Sequence, residues 1–405
     1  MATIKNVFDG NITTPAGFTA GATYAGIKKQ GENVLDLGMI YSQEPCTAAA
    51  VFTTNKIKSA ALVFDQQVMQ KKGKISAVIV NAGCANSSTG EQGVKDAYEM
   101  ASLAAHALGI EPDEVLVSST GVIGVQLPMK SIRDGVRNII LTADGGHEFE
   151  HAIMTTDTVP KEIAVKVTVG DTVFSIGGVA KGSGMIHPNL ATMLVYITTD
   201  AAVEKEFLEK ALKDAVAVSY NMISVDGDTS PSDTVLVLAN GLAGNTPITS
   251  GSRAAKAFKD ALTQVCIHLA KSIARDGEGA THLIEVNVKN AKTVKDARQA
   301  ARTIVGSNLV KAAVYGRDPN WGRVTAALGR SGVYLEEMKL DVVMAGISVL
   351  KDGRPVPFDK PAAVNALAVK EVSIIVDMHA GKGNATAWGC DLTEEYVVIN
   401  SAYTT

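Results

Sequence analysis

Lys181-Gly182-Ser183-Gly184-Met185-Ile186-His187-Pro188-Asn189-Leu190-Ala191-Thr192, running straight into Met193-Leu194-Val195-Tyr196-Ile197, is the stretch on which the reading of this chain turns. Two glycines and a His-Pro-Asn turn signal make its first part an irregular loop, while the β-branched and aromatic residues of the second part make a strand. Thr192 therefore stands at a loop-to-strand junction with a small residue, Ala191, before it. That arrangement suits an N-to-O acyl shift: the threonine hydroxyl attacks the preceding carbonyl, and hydrolysis of the ester frees an α-amine beside its own nucleophile. Alone the pair proves little, because Ala-Thr at a strand start is a common structural pairing.

Outward from this junction, strand-like and helical segments alternate with no low-complexity linker or tandem repeat, the pattern of an α/β (α+β) globule. The spacing of Ala97, Met100, Ala101, Ala104 and Leu108 predicts a helix over 94–108 that Gly109 can end. Phe207, Leu208, Ala211, Leu212 and Ala215 form the apolar stripe of a second helix over 204–220, with Glu204 and Glu206 in the first turn, where the helix dipole favours them. A third spans 253–274 and a fourth 297–304. Apolar runs at 77–80, 115–117, 163–169, 173–176, 193–197, 235–238 and 283–288 read as strands, several of them covered on both faces. Gly170-Asp171 reads as a hairpin turn between two of these. Runs at 342–350, 374–378 and 396–399 predict a further sheet in the last third.

Charged residues make up 20% of the chain and apolar ones 46%, and the net charge is −4, which supplies a core and lacks the basic footprint of nucleic-acid binding. Met1-Ala2-Thr3-Ile4-Lys5 has no apolar signal core, and no run approaches a membrane span. Neither nucleic acid nor membrane is an expected partner, and the cytoplasm is the default location. Cys46, Cys84, Cys266 and Cys390 are scattered, as are the histidines, so neither a metal site nor a disulfide is expected and the thiols read as reduced and buried.

The segment Lys181 to Thr192 resembles the processing site of the ornithine acetyltransferase family, also called glutamate N-acetyltransferases, arginine-pathway enzymes that cleave themselves before a catalytic threonine. The likeness continues, in the family's order, through Ser119-Thr120-Gly121-Val122-Ile123-Gly124, Ser224-Val225-Asp226-Gly227-Asp228-Thr229, Arg275-Asp276-Gly277-Glu278-Gly279-Ala280-Thr281 and Tyr315-Gly316-Arg317-Asp318-Pro319-Asn320-Trp321-Gly322-Arg323. It implies an αββα sandwich core over 1–285, built from both sides of the cleavage site, and a smaller α/β domain over 286–405. The processed chains would be 1–191 and 192–405, associating as a heterotetramer of two of each.

The resemblance also implies roles. Thr192 is the nucleophile, its freed amine the base, and Ala191–Thr192 the bond cleaved; Thr120 and Gly121 form the oxyanion pair through a hydroxyl and a backbone N–H. Thr156, Lys181, Glu278, Asn400 and Thr405 contact substrate, Lys181 as a point charge for a carboxylate and Glu278 as the anion for an amine. Read from the residues alone, Thr120 and Gly121 would merely close a strand, Thr156 would cap a turn, Lys181 and Glu278 would be solvated, and Asn400 and Thr405 would fray with the terminus. Asp226-Gly227-Asp228-Thr229 lacks the ligand spacing of a calcium loop and reads as a turn beside the site. Arg317, Asp318 and Arg323 read as an internal charge network anchored by Trp321.

The implied reaction is a ping-pong transfer of acetyl from N-acetylornithine to glutamate through acetyl-Thr192, with no cofactor and no metal. Some members of the family also accept acetyl-CoA as a substrate, and the sequence leaves that open. The alternatives are a self-processing aminopeptidase or amidase of the same superfamily, which would hydrolyse the acyl-enzyme, and a non-catalytic amino-acid-binding protein that stays intact.

Overall fold

The computed structural model describes residues 2–28, 34–71, 73–187 and 193–402. Eight strands lie side by side in the order Ala2–Asn6, Glu162–Val169, Thr172–Lys181, Leu194–Thr199, Thr234–Ala239, Leu37–Phe52, Ile75–Cys84 and Val115–Val122, and Phe18–Thr23 pairs with the first half of Leu37–Phe52. Residues 47–52 of that long strand pair with Thr234–Ala239, whereas residues 37–41 pair with Ile75–Cys84. Between Tyr41 and Cys46 the register shifts, and such an irregularity bends a strand. One strand thus serves two layers.

Alternation along the central strands builds two cores. Val195, Ile197, Val235 and Val237 face a core shared with the helices Lys205–Val216 and Ala255–Arg275, while Leu194, Tyr196, Leu236 and Leu238 face one shared with Ile40, Val78 and Val117. On the far side of Ile75–Cys84 and Val115–Val122 pack the helices Ala60–Gln70 and Gly90–Leu108. The succession is helix, sheet, sheet, helix, an αββα sandwich within an α/β fold. Each fully buried Leu, Ile or Phe in these cores contributes roughly 1.5–3 kcal/mol.

A second sheet runs Arg354–Pro355, Ile347–Lys351, Asp341–Met344, Glu371–Asp377, Leu283–Ala291, Gly383–Cys390, Ile223–Ser224. Residue 285 lies inside one of its strands, and Ile223–Ser224, from earlier in the chain, closes its edge parallel to Gly383–Cys390. The helix Ala255–Arg275 packs on both sheets, so Phe258, Leu262, Val265 and Leu269 share one apolar cluster with Val286, Ile374 and Val376.

Gly109 ends the Gly90–Leu108 helix in the left-handed conformation at φ +70°, its N–H donating to the Ala105 carbonyl. Gly170-Asp171 turns the hairpin whose register sets Val169 opposite Thr172. Two expectations fail. Residues 396–399, read as a strand, lie in the helix Glu394–Ala402, where Thr393 accepts from the Tyr396 N–H and Glu394 and Glu395 occupy the first turn. Arg317, Asp318 and Arg323 form no ion pair among the described residues; Asn320 donates to Asp318, and Arg323 donates to the Leu309 carbonyl. Cys46, Cys84, Cys266 and Cys390 are free and buried.

Candidate active site

Two strands deliver their C-terminal residues to one pocket: Val115–Val122 brings Thr120 and Gly121, and Thr172–Lys181 brings Lys181. Parallel pairing sets Gly121 opposite Gly83, and a Cβ on Gly121 would fall 2.3 Å from the Gly83 carbonyl carbon. With φ at +125° as well, only glycine fits there.

Lys181 is 3% exposed, which removes it from the solvated surface. Its Nζ donates to Thr155 Oγ1 at 2.8 Å and to Thr120 Oγ1 at 3.2 Å. Burial pushes this amine below the ordinary lysine range, with Asp157 opposing the shift.

The loop after the helix Gly146–Ile153 carries Thr155, Thr156 and Asp157, and buried charges hold it in place. Lys161 Nζ lies 2.7 Å from Asp157 and 2.6 Å from Asp276, at the end of the long helix, with all three side chains essentially out of solvent. Burial alone would raise the Asp157 carboxyl, but Lys161, Lys181 and the Gly182 N–H at 2.6 Å hold it well below the usual carboxylate range. Thr158 donates to Asp276 through both its N–H and its hydroxyl. Thr156 in turn shares a 2.7 Å hydrogen bond with Ser183.

Across the pocket stands Glu278. Its N–H donates to the Ser183 carbonyl at 2.9 Å, and one carboxylate oxygen accepts from Asn400 Nδ2 at 2.8 Å. A Cβ on Gly184 would lie 2.4 Å from that carboxyl, so glycine at 184 leaves the room Glu278 occupies. Asp226 accepts from the N–H groups of Met185, at 2.5 Å, and Ile186, at 2.9 Å, and so fixes Met185 at φ +54°. A non-glycine residue there costs on the order of 1–2 kcal/mol without such support. Burial raises the Asp226 carboxyl, partly offset by the N–H of Asp228 and of Met185.

Thr120, Gly121, Thr156, Lys181, Glu278 and Asn400 thus line one pocket. Ala191, Thr192 and Thr405 lie outside the described residues. Met193, the residue after Thr192, donates its N–H to Asp233 at 2.9 Å, and its carbonyl accepts from Thr234. Burial pushes the Asp233 carboxyl well above the usual range, against the Met193 N–H.

Sequence reading missed Thr155 and the Asp157–Lys161–Asp276 network. The one signal was an acid and a base four residues apart, which in a sequence is indistinguishable from an exposed pair. Acids and bases buried together by a catalytic-type pocket are what a functional site commonly requires.

Known proteins are similar to this chain over nearly its whole length. The ArgJ family profile matches residues 19–405. The chain is 54% identical to the arginine biosynthesis bifunctional protein ArgJ of Symbiobacterium thermophilum, over 98% of this chain and 99% of that one. It is 51% identical to the protein of the same name from Dehalococcoides mccartyi, over 98% of each. A crystal structure of the arginine biosynthesis bifunctional protein ArgJ of Bacillus halodurans matches with 44% identity and a TM-score of 0.50, covering 52% of this chain and 98% of its own. The family profile, and pairwise identity of 54% and 51% over nearly the full length, agree with the motifs gathered around the pocket: the chain belongs to the ArgJ family.

Proposed function

We propose that this chain cuts itself between Ala191 and Thr192 and then moves an acetyl group from N-acetylornithine to glutamate through an ester on Thr192. The observation that carries the reading is the buried Lys181–Thr120 pair facing Glu278 across one pocket, in a chain whose full-length relatives are bifunctional arginine-biosynthesis proteins. Length supports the cleavage. The Bacillus halodurans crystal chain is covered almost entirely by 52% of this one, and cleavage before Thr192 would leave 405 − 191 = 214 residues, about the same share.

In this mechanism the freed α-amine of Thr192, with an ordinary pKa of about 8, takes the hydroxyl proton as the oxygen attacks the acetyl carbon. The Gly121 N–H and the Thr120 hydroxyl meet the oxyanion. Because Lys181 donates to Thr120 Oγ1, the threonine's own proton is free to turn toward the developing charge. Collapse breaks the C–N bond, and ornithine leaves with the proton returned by the Thr192 amine. The glutamate amine then attacks the ester, giving N-acetylglutamate and restoring the hydroxyl. Glu278, held by Asn400, pairs with the substrate ammonium, and Thr156 lines the same wall.

In this reading the enzyme needs no cofactor or metal, assembles as two of each processed chain, and acts in the cytoplasm on small molecules, with acetyl-CoA left open as a second acetyl donor. Among the described residues no helix is long and apolar enough to cross a membrane.

Intact mass and N-terminal sequencing of the wild type and of Thr192→Ala test the first step. Two fragments, one beginning at Thr192, are expected from the wild type and a single chain from the variant. Cleavage of the same bond in the variant would overturn the mechanism. Acetyl transfer to glutamate, measured against release of free acetate, tests the second; acetate as the main product would make the protein an amidase instead.

A further inference from the structure

Outside the acetyl-transfer pocket lies a second cavity of about 580 Å3, within the range that holds small molecules. Its character is set by one helix, Val294–Val305. Ala297, Ala300, Ala301, Ile304 and Val305 turn into the core, which leaves Lys295, Arg298 and Arg302, at i, i+3 and i+7, along the opposite face. Arg330, just past the packed neighbouring helix Trp321–Gly329, adds a fourth cation, and no carboxylate lines the cavity among the described residues. Among the described residues Lys295, Arg298 and Arg330 also form no ion pair. In a chain of net charge −4, this is a local concentration of positive charge in a concave place.

We propose that this cavity binds a phosphate-bearing anion. Four converging cations match a multiply charged phosphoryl group better than an amino acid, whose ammonium offsets one of its carboxylates. Three of the four are arginines, whose planar forks pair with phosphate oxygens two at a time. The volume admits a nucleotide-sized ligand.

His187 also lines the cavity, its Nδ1 3.0 Å from Ser224 Oγ. Met185, two residues earlier, lines the acetyl-transfer pocket. The stretch between them is pinned by the Ile186–Thr229 bridge and by the Ile186 carbonyl accepting from the Val225 N–H at 2.7 Å. The two cavities therefore lie on either side of one short stretch of chain, Met185 to His187. Two sources share the chemistry: a nucleotide-linked thioester such as CoA, and free phosphate or pyrophosphate.

Calorimetric titration of the purified full-length protein at low ionic strength, with CoA, pyrophosphate and glutamate as separate probes, decides the matter without turnover. The cavity and the acetyl-transfer reading therefore fail independently. Saturable binding of a phosphate-bearing probe but not of glutamate is expected, weakened at least about tenfold in Arg298→Glu/Arg330→Glu and restored in Arg298→Lys/Arg330→Lys. Should the charge-reversed pair fail to fold, as read by melting, the exposed Lys295→Glu takes its place with the same expected direction. CoA binding about tenfold tighter than pyrophosphate assigns the site to a nucleotide ligand, and equal binding assigns it to the free anion. No saturation by either probe in the millimolar range, or affinity unchanged by charge reversal, overturns the proposal.

Discussion

The ammonium of Lys181 sits 3.2 Å from the hydroxyl oxygen of Thr120, and the two residues come from different strands, 61 positions apart. A hydroxyl that accepts from an ammonium keeps its own hydrogen to give. Lys181 acts on the pocket through Thr120 as well as through its charge. This contact stands beside the expectation that Lys181 offers its charge to a substrate carboxylate.

Thr120→Ala removes a donor from the proposed oxyanion site and should lower kcat roughly a hundred- to a thousandfold with little change in KM. Lys181→Met should lower kcat by about tenfold or more and change the pH profile. Burial holds the Lys181 pKa below the ordinary lysine range, so the cation is lost at a lower pH than that of a solvated lysine. The wild-type kcat therefore declines on the basic side, and the methionine variant should lack that limb. Identical basic limbs in the two enzymes would remove Lys181 from the chemistry.

Glu278 and Gly184 make a pair of opposite tests. Glu278→Gln keeps the shape and deletes the charge proposed to meet a substrate ammonium, which should cost about 1.5–3 kcal/mol, or roughly 10- to 150-fold in KM for the amino substrate. Gly184→Ala leaves the charge and pushes it aside, since the added methyl would lie 2.4 Å from the carboxyl. Steady-state kinetics should show KM raised in both. An unchanged KM in Gly184→Ala would mean that the carboxylate does not need its present place.

Much of the framework is legible in the chain, because local signals and burial agree. The 94–108 periodicity with Gly109 behind it and the Gly170-Asp171 turn need no distant partner. The strand Leu37–Phe52 escapes reading because Gln43-Glu44-Pro45, exposed at its middle, looks like a loop between two apolar runs. Val115–Val122 reads as ending early because Ser118-Ser119-Thr120 is polar, yet these residues are buried and paired with Asn81 and its neighbours. Tyr396-Val397-Val398-Ile399 has β propensity but no sheet neighbour, and propensity yields to context. The burial of Lys181 is illegible for a different reason: the loop covering it is held by Asp276, 115 residues away from Lys161.

That loop gives a stability prediction. Lys161→Met leaves Asp157 and Asp276 buried without their cation, and breaking such a pair from one side costs about 3–5 kcal/mol. The Asp157 pKa is depressed in the folded state, so its stabilising contribution is present above the ordinary 3.8 and disappears as pH falls through the folded value. Denaturation midpoints of wild type and variant should lie far apart near neutral pH and converge in acid. A gap that does not depend on pH would show that packing, and not charge, is what Lys161 supplies.

Glu150 carries the opposite sign. One carboxyl oxygen accepts from the Lys161 N–H at 2.8 Å, and the other is buried with no hydrogen bond among the described residues. Burial pushes this carboxyl up to about 8 from an ordinary 4.5, against the Lys161 N–H bond. A raised folded pKa means that the folded state holds a proton the unfolded chain has released. The stability it contributes is full below 4.5 and is lost progressively as pH rises through about 8. Glu150→Gln imitates the protonated acid at every pH, keeping the acceptor for Lys161 and placing an amide where the unpaired oxygen stands. Its melting temperature should track the wild type in acid, rise above it between about pH 5 and 8, and hold a constant advantage beyond. Melting curves for both proteins across that interval decide it, and a difference that falls with rising pH would mean that Glu150 is ionised and paired in the folded protein.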